Sequence, residues 1–142
     1  QKNAANQVIE LRKIIDDGIL HLVIQKMKDK SELNSARKVI TDLRKDIDEN
    51  GVDALKIFNA DIAFHDALLE ITENDLLRGI GSYVNLITKK TRIEAIKKFI
   101  ANKDVDRFFI LHEEVLNILE NRLVEKIDDA IKSHYIYWST VK

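Results

Sequence analysis

Apolar residues recur every three or four positions along most of the chain, the spacing of one face of an α-helix. Val8, Leu11, Ile15, Leu22 and Met27 predict a first helix over about residues 6–28, with Gly18 as an interruption. Ser31 is the expected N-cap of a second helix carrying Leu33, Ala36, Ile40, Leu43 and Ile47. Asn50-Gly51 should stop it, because glycine suits the left-handed position past a helix end. A third stripe holds Leu55, Phe58, Ile62, His65 and Leu69 and ends near Thr72-Glu73-Asn74, where Asn74 is placed to cap a fourth helix beginning at Asp75. Leu77, Ile80, Val84 and Ile87 are its apolar positions, and the pattern continues, with room for a break, to Ala101. Asn102-Lys103-Asp104 reads as a turn, and Val105, Phe108, His112, Val115 and Leu119 form the fifth stripe. After Glu120-Asn121-Arg122, the last stripe is Leu123, Ile127, Ile131, His134 and Trp138. Six helices joined by short connections predict an all-α antiparallel bundle.

Composition narrows this picture. The 142 residues suffice for one domain with its own core, and they include no proline and only four glycines, as a helical fold prefers. A formal net charge of −1 gives no basic field to attract nucleic acid. Cysteine is absent, so any metal must be held by nitrogen and oxygen ligands. No apolar run approaches the roughly 20 residues of a membrane span, and no signal peptide is recognised, so the expected location is the cytoplasm. The chain opens at Gln1 without an initiator Met, and the expectation is that a preceding segment was removed or is not included.

Three of the four histidines fall inside apolar stripes: His65, His112 and His134. Asp61 lies four residues before His65, so the two share a helix face. All four side chains are aimed at an interior where unpaired polar groups are costly. Taken singly, a histidine on such a stripe is more often a hydrogen-bonded structural residue than a ligand. His21, with only Asp17 as a neighbour at four residues, is expected to be structural or surface. Together, three imidazoles and one carboxylate from three helices suit Zn²⁺, Ni²⁺, Mn²⁺ or Fe²⁺ and leave positions for water or a ligand. From the residues alone, a metal site and a set of merely buried histidines both stand.

The stretch Asp61-Ile62-Ala63-Phe64-His65-Asp66-Ala67-Leu68, followed by Asn74-Asp75-Leu76-Leu77, resembles the D-x-x-F-H-x-x-L…N-x-x-L signature of the FCD domain. That is the C-terminal effector domain of FadR-type regulators in the GntR superfamily of bacterial transcription factors. Leu111-His112-Glu113-Glu114-Val115-Leu116 is similar to the family's E-H-x-x-I-L segment, and His134-Tyr135 to its terminal H-L. The 22 residues from His112 to His134 match the family's spacing, and Glu10-Leu11-Arg12 is similar to its E-x-R. The likeness runs over essentially the whole chain. It implies a single effector-binding and dimerisation domain over residues 1–142, in a homodimer that meets DNA only through a separate N-terminal winged helix-turn-helix absent from this chain. It also implies that Asp61, His65, His112 and His134 hold one divalent transition ion, such as zinc, nickel or manganese. Two departures stand out: Asn121-Arg122-Leu123 replaces the family's G-D turn, and Leu111 replaces an acidic residue before the second histidine.

Catalysis by a metal-bound water needs a general base and polarising groups beside the open position, and no HExxH motif, nucleophile elbow or acid–base partner is found. The reading adopted is a metal that anchors a small carboxylate or hydroxy-acid effector. Arg12 is a candidate clamp for the acid's other end, against the plainer reading of a solvated arginine. Asn85 and Thr88, on helix four, are weaker candidates for the pocket. The competing readings are a small metal-dependent hydrolase or lyase and a metal-free helical interaction module.

Overall fold

A computed structural model describes the backbone of residues 4–140 and the side chains of residues 6–135. Its described residues form six α-helices and two 3₁₀ turns, with no strand. The helices are α1 (Ala4–Lys26), α2 (Asn34–Asn50), α3 (Ala54–Thr72), α4 (Asp75–Ala101), α5 (Val105–Glu120) and α6 (Ile127–Thr140). Short 3₁₀ turns over Lys30–Leu33 and Val124–Lys126 precede α2 and α6. The fold is thus the expected all-α bundle. α3 packs against α1, α2 and α4, while α1 also packs against α6.

Each helix contributes to one core. Val23, Leu43, Leu68, Ile96, Leu119 and Ile127 are buried, one from each helix, around Phe64, Phe99, Phe108 and Phe109. Burying one such side chain is worth about 1.5–3 kcal/mol, against about 1 kcal/mol for a helix cap, so the core decides the fold and the caps trim its ends. Trp138, expected on the last stripe, lies outside the described side chains.

The helix ends follow local chemistry, with corrections. Asn74 caps α4 by accepting from the Leu77 N–H at 2.9 Å, and Gly51 ends α2 at φ 89°. Ser31 is not the cap before α2. Asp29 takes that place at the 3₁₀ turn, accepting from the Ser31 N–H, while Glu32 accepts from the Asp29 N–H. This reciprocal pair satisfies two orphan donors with charged acceptors, which a lone serine hydroxyl would not do. α4 is one unbroken helix. Leu55, Ile80 and Ile87, expected in the core, are exposed, because these helices turn narrower apolar faces inward than their sequence stripes suggest. Where the family has its G-D turn, Arg122 takes the left-handed conformation itself, at φ 53°. Its guanidinium donates to the carbonyls of Ile24 and Met27, each at 2.7 Å. These carbonyls at the end of α1 need partners, so the α5–α6 turn is tied to α1. Among the described residues, no helix is long and apolar enough to cross a membrane.

Candidate metal-binding site

Asp61 and His65 share the inner face of α3, and α5 brings His112 to the same carboxylate. Asp61 and His112 are buried, and His65 is largely so. Asp61 Oδ1 lies 2.8 Å from His112 Nε2 and 3.3 Å from His65 Nε2. One ligand atom from each of these three residues lies within 4.8 Å of the others. The ring of His134, on α6, stands 5.6 Å from that of His112. The structure therefore brings Asp61, His65 and His112 together, with His134 beside them.

The hydrogen-bond chemistry of His112 is decisive for what fits here. Its Nδ1 lies 2.7 Å from the Phe108 carbonyl, which can only accept, so Nδ1 carries a hydrogen. In the neutral ring, Nε2 then presents a lone pair to the Asp61 carboxylate, another acceptor. Two acceptors that face each other need a cation between them, either a proton or a metal ion. His65 Nε2 is buried and makes no hydrogen bond, with the same Asp61 oxygen 3.3 Å away. An Nδ1–H donated to a backbone carbonyl is also how a metal-ligating histidine is usually held in orientation. The residues present fit a divalent ion with nitrogen and oxygen preferences.

Charge around the site is closely balanced. Burial alone would raise the Asp61 pKa, but His65, Arg92 and the hydrogen bond from His112 outweigh it and hold the carboxyl well below its usual range. Arg92, buried on α4, donates to Asp61 Oδ2 through one nitrogen and to Asn85 Oδ1 at 2.8 Å through another. Burial, helped by nearby His112, pushes His134 down to about 3, so its imidazole is neutral, as a ligand must be.

A second polar cluster joins α1 to α6. Arg12 is buried; its Nε donates to the Tyr135 hydroxyl at 3.2 Å, and its guanidinium lies 3.6 Å from Asp16 Oδ2. The Tyr135 hydroxyl donates to Asp16. Burial would raise the Asp16 pKa, but Arg12, His65 and Tyr135 bring it below its ordinary value. Two cavities flank this cluster, each with about 20 Å³ of free volume, room for about one water. His65, Asp16 and Ile19 line both; one adds His112, His134 and Tyr135, the other Arg12 and Asn85. Thr88 is not among the residues lining either, and its hydroxyl donates to the Val84 carbonyl of its own helix. His21 is exposed, its Nδ1 2.9 Å from the Asp17 carbonyl.

Sequence reasoning missed Arg92, Asp16 and Tyr135. Arg92 carried a signal: it continues the buried register Val84, Thr88, Arg92, Ile96, and a charge in such a row needs a buried partner. Asp16 was visible only as the residue four after Arg12.

Residues 7–136 match the FCD domain family, which is most of the chain. The chain belongs to the FCD domain family. This FCD domain is 29% identical over 136 residues to the HTH-type transcriptional regulator LutR of Bacillus subtilis, an alignment covering 94% of the chain and 60% of LutR. The chain thus spans about 60% of that relative's length. No solved structure matches it. That relative is by its name a transcriptional regulator.

Proposed function

We propose that this FCD domain is the ligand-sensing part of a GntR-type transcriptional regulator. In this reading Asp61, His65, His112 and His134 hold a divalent zinc, nickel or manganese ion that anchors a small carboxylate or hydroxy acid. The observation that carries it is the contact of His112 Nε2 with Asp61, two groups that need a cation between them, beside a buried His65 nitrogen that makes no hydrogen bond. The ion supplies a Lewis-acid grip on the effector's oxygens. The chain's own residues do the rest. Arg92 and Asn85 fix the far oxygen of Asp61, so that Oδ1 is the one presented to the imidazoles.

Arg12 already has a carboxylate partner in Asp16. An effector carboxylate has the same charge and shape, so it competes with Asp16 for the guanidinium. The free space is about one water in each cavity, so a bound acid must open the wall the two share, of which Asp16 and His65 are part. Displacing Asp16 breaks its contact with Tyr135 and loosens α1 from α6. A ligand that binds the opened arrangement more tightly shifts the population toward it. In the intact regulator, a cytoplasmic homodimer, that shift alters the spacing of N-terminal DNA-binding domains. A metal-free module is the second reading, favoured by Arg92, which already gives Asp61 a cation.

A thermal-shift screen of small organic acids, run on metal-loaded and chelator-treated protein, tests the sensor. Stabilisation confined to loaded protein is expected, by about 2.7 kcal/mol at a hundredfold excess over the dissociation constant. Arg12→Ala should weaken the acid and spare the metal. Equal stabilisation of both forms would remove the ion as anchor.

A further inference from the structure

α4 is apolar on two sides. Its inner side carries Gly81, Val84, Thr88, Ile96 and Phe99, all buried. About a third of a turn away lies a second row, Leu76, Ile80, Tyr83 and Ile87, spaced four, three and four residues apart, with Leu86 alongside. Among the described residues nothing covers it: exposure runs from 48% at Ile80 to 83% at Leu76. The other exposed large apolar residues among those described are scattered, with Ile14 on α1, Val52 and Leu55 around the start of α3, Ile110 on α5 and Val124 before α6. Five such side chains on one helix leave on the order of 400–500 Å² of apolar surface, the size of patch that marks an interaction site.

We propose that this outer face of α4 is where two copies of the chain pair, antiparallel about a two-fold axis that crosses the row midway between Ile80 and Tyr83. The spacing is that of a helix–helix seam, and a two-fold interface must be self-complementary. About such an axis Leu76 meets Ile87 of the second copy and Ile80 meets its Tyr83, so every apolar position finds an apolar one. Charge selects the same arrangement. The exposed Glu73, just before the helix, falls opposite the exposed Lys90, whereas parallel helices would set Lys90 against Lys90. A Cβ added at Gly79, beside the row, would meet nothing within 4 Å, so a neighbouring helix can come close there. Two such patches bury on the order of 1,000 Å², near the lower limit for a specific interface, and the flanking polar residues add to it.

This inference rests on the homodimer of the proposed function and on no part of the metal site. Metal content, read on the same samples, separates failure of one from failure of the other. Sedimentation velocity on the 142-residue chain, over a roughly hundredfold concentration range, should give a dimer. Tyr83→Glu should weaken dimerisation at least tenfold while leaving the circular-dichroism melting curve of the monomer unchanged. Should that variant fail to fold, the charge pair decides: Lys90→Glu should weaken the dimer, and adding Glu73→Lys should restore it. Because the chain has no cysteine, single introduced thiols report the geometry. Mixed Ile80→Cys and Tyr83→Cys chains should form an intermolecular disulfide on mild oxidation, and Lys90→Cys chains should not. A chain that stays monomeric, a dimer indifferent to these substitutions, or equal cross-linking in the mixed and the Lys90→Cys chains would overturn the proposal.

Discussion

Asp61 is the residue on which the site turns. It is buried, paired with Arg92 through one oxygen and faced by two imidazoles at the other. Such a group is tolerated only because its partners are fixed by three further helix positions. His134 gives this arrangement its pH dependence. Its pKa is lowered from 6.5 to about 3 on folding, so the unfolded chain takes the proton first. Its contribution to stability is complete above about pH 6.5 and is lost progressively as the pH falls toward 3, at up to about 1.4 kcal/mol per pH unit. Asp61 and Asp16, whose pKa values are lowered, add a further loss only below about pH 4. Urea titrations of metal-free protein should therefore show stability falling between pH 6.5 and pH 5, and a shallower fall in His134→Gln. Parallel slopes for the two proteins would assign the acid sensitivity to other groups.

Helix-scale architecture was the most legible part of the chain, because the three-to-four spacing reports directly which face is buried. The caps at Asn74 and Gly51 were readable for the same reason: few residue types serve there. Ser31 misled because the capping box of Asp29 and Glu32 starts two residues earlier. Ile80 and Ile87 misled because periodicity marks an apolar row without saying what it packs against. Glycine offers a test at this scale, since one substitution should act in opposite directions at two sites. Gly18 lies inside α1 with nothing within 4 Å of an added Cβ, so Gly18→Ala should raise stability by up to about 1 kcal/mol. Gly51 ends α2 at φ 89°, where a side chain is strained, so Gly51→Ala should lower stability by about 1–2 kcal/mol. Denaturant midpoints at constant slope check both, and a shared sign would refute the helix ends described here.

Across the whole molecule, the bundle places a charged cluster where a purely structural domain would place aliphatic side chains. Asp61, His65, His112 and His134 could be read from their helix faces, and the family resemblance supplied their expected role as ligands. Their settings could not be read. The Arg92 contact to Asp61 joins positions 31 residues apart, and the Tyr135 contact to Asp16 joins positions 119 apart, pairings that only packing creates. The central claim is that this interior is built around a cation other than a proton. Elemental analysis of protein purified without chelators addresses it most directly, paired with melting curves on added Zn²⁺, Ni²⁺ or Mn²⁺. The account predicts close to one equivalent of a divalent transition ion, lost in His112→Ala and retained in His21→Ala. Metal-free protein that none of the three ions stabilises would contradict it.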